Sequence, residues 1–159
     1  MSSDVLIIDS QHSKVLFEVK KLGFLTIRGS LSDFTGEITF NKDTLKQANF
    51  SVGISPETID TGSAKRDEHL KSQDFFHIKK YPEISFQSTS VKSDKNGYQA
   101  IGNLSMLGTT KEISIPFSIS DREYIGNFKL NRLDYSLGKK FPAFIVGKEI
   151  QISIKCNIK

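Results

Sequence analysis

The 159-residue sequence has no tryptophan, two methionines, four prolines and one cysteine, Cys156. A single cysteine excludes an internal disulfide and any zinc site built from several thiolates. With so few prolines and no Ser/Gly or Pro tract, there is no linker or low-complexity segment at which to divide the chain. The length suits one domain with a continuous core, residues 1–159. Charge of one sign is also lacking: 22 basic residues against 18 acidic ones leave +4, scattered along the chain, which serves solubility. The N-terminal "MSSDVLIIDS" has a four-residue apolar run and no basic lead, so it reads as neither a secretory signal nor a membrane span. The chain as written is expected in the cytoplasm, and in the periplasm if a signal peptide has been removed.

What the chain does have is twelve phenylalanines, many Ile and Val, and a period of two. In "QANFSVGIS", Ala48, Phe50, Val52 and Ile54 alternate with polar or small residues. The same pattern marks Val15–Val19, Phe34–Phe40, Ile84–Phe86, Tyr98–Met106, Ile113–Ile119, Tyr124–Leu130 and Ile150–Ile158, which makes eight half-buried strands. Asn96 and Gly97 in "DKNG" supply hairpin chemistry. Pro116 faces outward and cannot donate to a ladder, so its strand should be an edge or be bulged there. Gly36, Gly102 and Gly126 fall on apolar faces, where they permit strong bending and leave volume inside. Short turns between such strands describe an all-β up-and-down barrel or a two-sheet sandwich, and periodicity alone does not choose. Eight strands close a barrel that either fills with side chains or holds one small ligand.

The exception is the connection between residues 56 and 81, long enough to carry its own structure. Ser63 can cap a short helix over Ala64–Leu70 and Asp74 a further turn, with Leu70, Phe75 and Phe76 as an apolar underside over the barrel or its mouth. This stretch, "RDEHLKSQDFF", also holds the densest set of reactive groups: Asp60, Arg66, Asp67, Glu68, His69, Asp74 and His77 lie in or beside it. His69 and His77, eight apart, lack the spacing of a helical zinc pair, and no metal or cofactor is implied. There is no GxSxG motif, and Cys156 sits on an apolar face where burial suppresses the thiolate. The favoured reading makes Arg66 and Asp67 structural anchors: being adjacent, they cannot point to the same neighbour, so each pins the insertion through its own partner. His12 braces the loop before the first strand. Arg132 in "NRLDY" is likewise an anchor. These residues, with His69, are also candidates to meet a ligand's polar head at a cavity mouth.

The inward series Phe17, Val19, Phe34, Ile38, Phe40, Phe50, Val52, Phe86, Leu104, Met106 and Phe128 is the candidate ligand-binding surface, although each of these residues would be needed for packing in any case. Met106 and the glycines favour a deformable, partly hollow interior. Outward positions carry Ser, Thr, Asn, Glu and Lys and form no stacking platform, which argues against nucleic acid. The basic doublets Lys20–Lys21, Lys79–Lys80 and Lys139–Lys140 stand beside turn signals. They read first as a solvated rim, with transient contact to an anionic membrane surface as the second reading.

The segments "IDSQHSKVLFEVKKLG", "GSLSDFTGEITF", "TIDTGSAKRDEHLKSQDFFHIKKYPEISFQS", "GNLSMLGTTKEISIPF" and "FKLNRLDYSLG" resemble, in order, the YceI-like family of bacterial polyisoprenoid-binding proteins. The resemblance covers nearly the whole chain and is most specific around Arg66, Asp67, His69, Leu70, Phe75 and Phe76. It implies a lipocalin-like antiparallel barrel with a helical insertion and an elongated apolar cavity, which would bind, store or transport an isoprenoid, an isoprenoid quinone or another lipid-like chain, often as a homodimer. The contrasting expectation is an enzyme acting on a lipid-like substrate, with Asp67 and His69 as acid and base.

Overall fold

The computed structural model describes residues 5–159. Its strands are β1 (Val5–Ile7), β2 (Lys14–Lys21), β3 (Leu25–Thr39), β4 (Asn49–Asp60), β5 (Ile84–Asp94), β6 (Gly97–Met106), β7 (Thr109–Ser120), β8 (Glu123–Asn131) and β9 (Val146–Asn157). One α-helix, α1 (Ala64–Lys71), lies between β4 and β5. Strands β2 to β9 are the eight that the alternation marks. They pair antiparallel in the order β3-β2-β9-β8-β7-β6-β5-β4, and β4 returns to β3 to close a barrel. Closure leaves no long free edge, which answers the main hazard of an all-β chain.

The short β1 takes no ninth position. It pairs with the end of β3 through Leu6↔Ile38, and Ile8 bridges Ile158, so β1 and β2 share one place in the wall, broken by a 3-10 turn at Ser10–His12. β3 begins at Leu25, earlier than the alternation suggests, because Gly29 leaves room there for the ring of Phe17 from β2 and interrupts the apolar pattern.

At the β5–β6 hairpin the two tip residues are Lys95 and Asn96, with the Asn96 amide donating to Asp94 Oδ1 at 2.9 Å. Gly97 is the first ladder residue after them, at φ 150°, where a side chain would strike the Phe117 carbonyl. Pro116 causes no bulge: the β6–β7 register is continuous through Gln99↔Pro116. On its other side, the β7–β8 ladder starts only at Phe117, so Pro116 stands just where that pairing ends.

The glycines correct one expectation. Gly36 and Gly102 do sit beside register shifts in the β3–β4 and β5–β6 ladders, but a Cβ on either would meet neighbouring backbone at Ser51 or Gln87. They allow close approach and bending without leaving void. Only Gly126 of the three borders a cavity, and there too a Cβ would come within 3.2 Å of the Ile115 side chain.

Candidate functional site

Because side chains alternate, every strand sends one row of apolar residues inward, and the rows do not fill the barrel. A cavity of about 180 Å³ lies towards the end that carries α1, and a second of about 100 Å³ lies deeper. Phe34, Val52, Phe86, Ile115 and Ile154 line both, so the two chambers adjoin along the barrel interior. Apart from Ser85 and Arg132, every side chain lining the near chamber is apolar. Apolar cavities near 150 Å³ stay dry and accept apolar guests, because water entering them would forfeit its hydrogen bonds.

The far chamber ends in an aromatic plug. The Phe40 ring meets Tyr98, Phe117 and Tyr124 edge-on at 5.1, 6.1 and 5.8 Å between centroids. Burial pushes the Tyr124 hydroxyl up to about 12 and the Cys156 thiol up to about 11, as expected where the charged form has no water.

The near chamber is covered by the insertion, and its attachment can be traced bond by bond. Ser63 caps α1 by accepting from the Arg66 amide at 3.3 Å. Thr61 is the latch: Asp67 Oδ1 accepts from its amide at 3.0 Å and its hydroxyl at 2.5 Å, while Arg66 donates to its hydroxyl at 2.8 Å and its carbonyl at 2.7 Å. Arg66 and Asp67 therefore do share one neighbour, contrary to expectation, because a threonine offers donors and acceptors on both backbone and side chain. Leu70, Phe75 and Phe76 point down into the chamber.

Asp74 caps no helical turn. Its carboxylate pairs with His69 Nε2 at 2.8 Å and Lys140 Nζ at 3.5 Å, and the hydrogen bond from His69, with Lys140 assisting, holds it below the usual carboxylate range. The Phe75 ring stacks on Phe141 at 5.1 Å, and His69 packs edge-on against both. Gly138, at φ 66°, lies so close to Phe75 that a Cβ there would approach the ring to 2.6 Å. The insertion thus leans on the loop between β8 and β9.

That loop is held from inside by Arg132, which is only 1% exposed. Nε donates to Gly147 O at 2.9 Å, Nη1 to Leu137 O at 3.0 Å and Gly138 O at 2.7 Å, and Nη2 to Phe141 O at 2.7 Å and Val146 O at 2.6 Å. All five donors of the guanidinium are committed to carbonyls. None of the ion pairs among the described residues involves it, and burial lowers its pKa. Arg132 borders the near chamber, yet it has no N–H left for a ligand's head group.

Ten of the eleven inward residues chosen from the sequence line a chamber. Phe40 does not: it lies one residue past the end of β3, where its ring joins the plug. His12 braces the first loop, with Nδ1 2.7 Å from Asp9 and its carbonyl accepting from Asn157. His12, Arg66, Asp67 and His69 line neither chamber. Among the residues missed were Val15, Leu31, Ile54, Ile59, Ile84, Ile115, Leu130 and the β9 row Ile150, Ile152 and Ile154, together with Leu137 and Val146. The same alternation marks most of the strand residues among them, such as Val15, Ile115, Leu130 and the Ile150–Ile154 row, and a choice weighted towards aromatics passed over aliphatics of equal standing.

A closed antiparallel barrel with an apolar two-chamber interior and a helical cover defines the class as a cavity-bearing β-barrel. The YceI-like domain matches residues 6–158, and the chain belongs to that family. It is 36% identical over 107 residues to a UPF0312 protein of Yersinia enterocolitica, a match covering 67% of this chain and 56% of the relative, so the alignment spans little more than half of that protein's length. Among solved structures it is similar to BcnA of Burkholderia cenocepacia, with TM-score 0.86 and 21% identity over 94% of this chain and 98% of that one. A polyisoprenoid binding domain from Saccharophagus degradans shares the fold at TM-score 0.72 and 12% identity, over 99% and 98% of the two chains.

Proposed function

We propose that this chain binds, and stores or carries, a long apolar molecule of the isoprenoid class inside the barrel. The observation that carries this reading is the pair of adjoining chambers, about 180 and 100 Å³, walled almost wholly by hydrocarbon. Such an interior offers no directional chemistry, so it selects by shape and by burial, which is worth about 0.8 kcal/mol per methylene. The described fold of a relative named as a polyisoprenoid binding domain supports the chemical class. Asp67 is bound to Thr61, His69 is held by Asp74, and neither lines a chamber, which supports the binding reading over one with this pair as acid and base.

The test is a series of prenyl alcohols of increasing length, each displacing a fluorescent apolar probe from delipidated protein. Affinity should climb by about fourfold per buried methylene and level off once the chambers are full. A flat response across the series, or no displacement at all, contradicts the proposal.

A further inference from the structure

A molecule that keeps its ligand inside must meet the membrane in which such ligands dissolve, and one rim of this barrel is built unlike the rest. The β2–β3 hairpin tip puts Leu22 at φ 56° and Gly23 at φ 81°, and this tight turn thrusts Phe24 outward. Phe24 is 74% exposed and Leu22 50%. Directly beside it is the loop before β9, where Phe144 is 75% exposed. The two tips are bonded: the Leu22 amide donates to Ile145 O at 2.9 Å, and Lys21 pairs with Val146 across the ladder. Exposed aromatics on adjoining loops have no folding rationale and mark a surface that contacts something.

The charge on these segments indicates what. Residues 19–27 and 135–148 contain five lysines and no Asp or Glu, in a chain with 18 acidic residues. Lys140 pairs with Asp74, but Lys21, Lys139 and Lys148 make no ion pair among the described residues. A second copy of the chain on this face would bring like charges together, since a twofold interface is self-complementary in position. An anionic bilayer matches both features, taking the rings into its acyl boundary and the lysines at its head groups. The same two segments also supply Val19, Leu137 and Val146 to the wall of the near chamber. Arg132, by fixing five carbonyls from Leu137 to Gly147, holds the loop that presents Phe144.

Resting on the carrier reading above, we propose that the Leu22–Phe24 tip and the Phe144 loop form a membrane-docking rim that seats the near chamber against an anionic lipid surface for ligand exchange. The experiment is co-sedimentation of the full chain with vesicles of phosphatidylcholine, with and without phosphatidylglycerol. Wild type should bind the mixed vesicles and release with salt. The double variant Phe24→Ser/Phe144→Ser should lose most binding, and Lys21→Glu/Lys139→Glu should lose about fivefold or more per charge. Both pairs lie outside the chambers, so probe uptake from solution should stay at wild-type level while transfer out of vesicles falls. No sedimentation with mixed vesicles, or binding indifferent to both double variants, overturns the docking rim and leaves the probe-uptake result to judge the carrier reading separately. A wild-type dimer in analytical ultracentrifugation that Phe24→Ser/Phe144→Ser converts to monomer also overturns it, in favour of a second copy on this face.

Discussion

Val52 offers the sharpest way to ask whether the barrel is hollow. It lies on β4, faces inward between Gly36 and Phe86 of the neighbouring strands, and borders both chambers. In a packed core, Val52→Phe would displace neighbours at a cost of about 1–3 kcal/mol. Here the added ring carbons enter existing space. At about 0.8 kcal/mol each, they gain roughly 3 kcal/mol of transfer free energy, against which the remaining steric adjustment is set. The expected net change runs from zero to a gain of about 2 kcal/mol, seen as an unchanged or raised Tm by up to about 6 °C in far-ultraviolet circular dichroism. The same ring occupies the passage between the chambers, so displacement of the apolar probe should weaken by roughly tenfold or more. A variant that loses about 1–3 kcal/mol while binding normally would show a packed interior instead of a hollow one.

Four further outcomes follow from the hydrogen bonds and the burial. Arg132→Met leaves five carbonyls without their donor, and urea denaturation should show a loss of about 3–5 kcal/mol, with the 137–147 amides exchanging fastest; a loss under 1 kcal/mol would mean the clamp is not structural. Asp67→Ala frees the Thr61 latch, which should cost about 1–3 kcal/mol and speed hydrogen exchange across α1, whereas unchanged exchange there would count against the latch. The Tyr135 hydroxyl is buried and has no hydrogen-bond partner among the described residues, so Tyr135→Phe should leave Tm equal or higher, and a clear drop would reveal a partner. For Cys156 the folded thiol is raised to about 11 from 9.0 by burial, so the unfolded chain sheds this proton first and stability falls as pH rises through that window. Up to about 3 kcal/mol is at stake, and Cys156→Ala should flatten the alkaline part of the stability curve relative to wild type; parallel curves would contradict the burial.

The eight strands were legible in the sequence because alternation is a local property: each strand's inward row can be read without knowing its neighbours, whereas closure into a barrel rather than a sandwich rested on the family resemblance. β1 was not, since three residues carry no period and its place depends on where β2 leaves β3. The role of Arg132 was visible only as "anchor". Its five acceptors are carbonyls from Leu137 to Gly147, and carbonyls leave no mark in a sequence. Thr61 was missed for a related reason: its value as a latch comes from sitting opposite the first turn of α1, which only the closed chain sets. Gly36 and Gly102 show the opposite error, in which a missing side chain suggested space and the fold put backbone there instead.

On this reading a chain ligand lies inside the barrel, against the walls both chambers share. Intermolecular NOEs between an unlabelled prenyl alcohol and the protein labelled with carbon-13 report its position. Contacts to Val52, Phe86, Ile115 and Ile154 are predicted, with none to Phe24 or Phe144 in the absence of membrane. Contacts confined to outward-facing residues, or a saturated sample with no contact to those interior side chains, would contradict it.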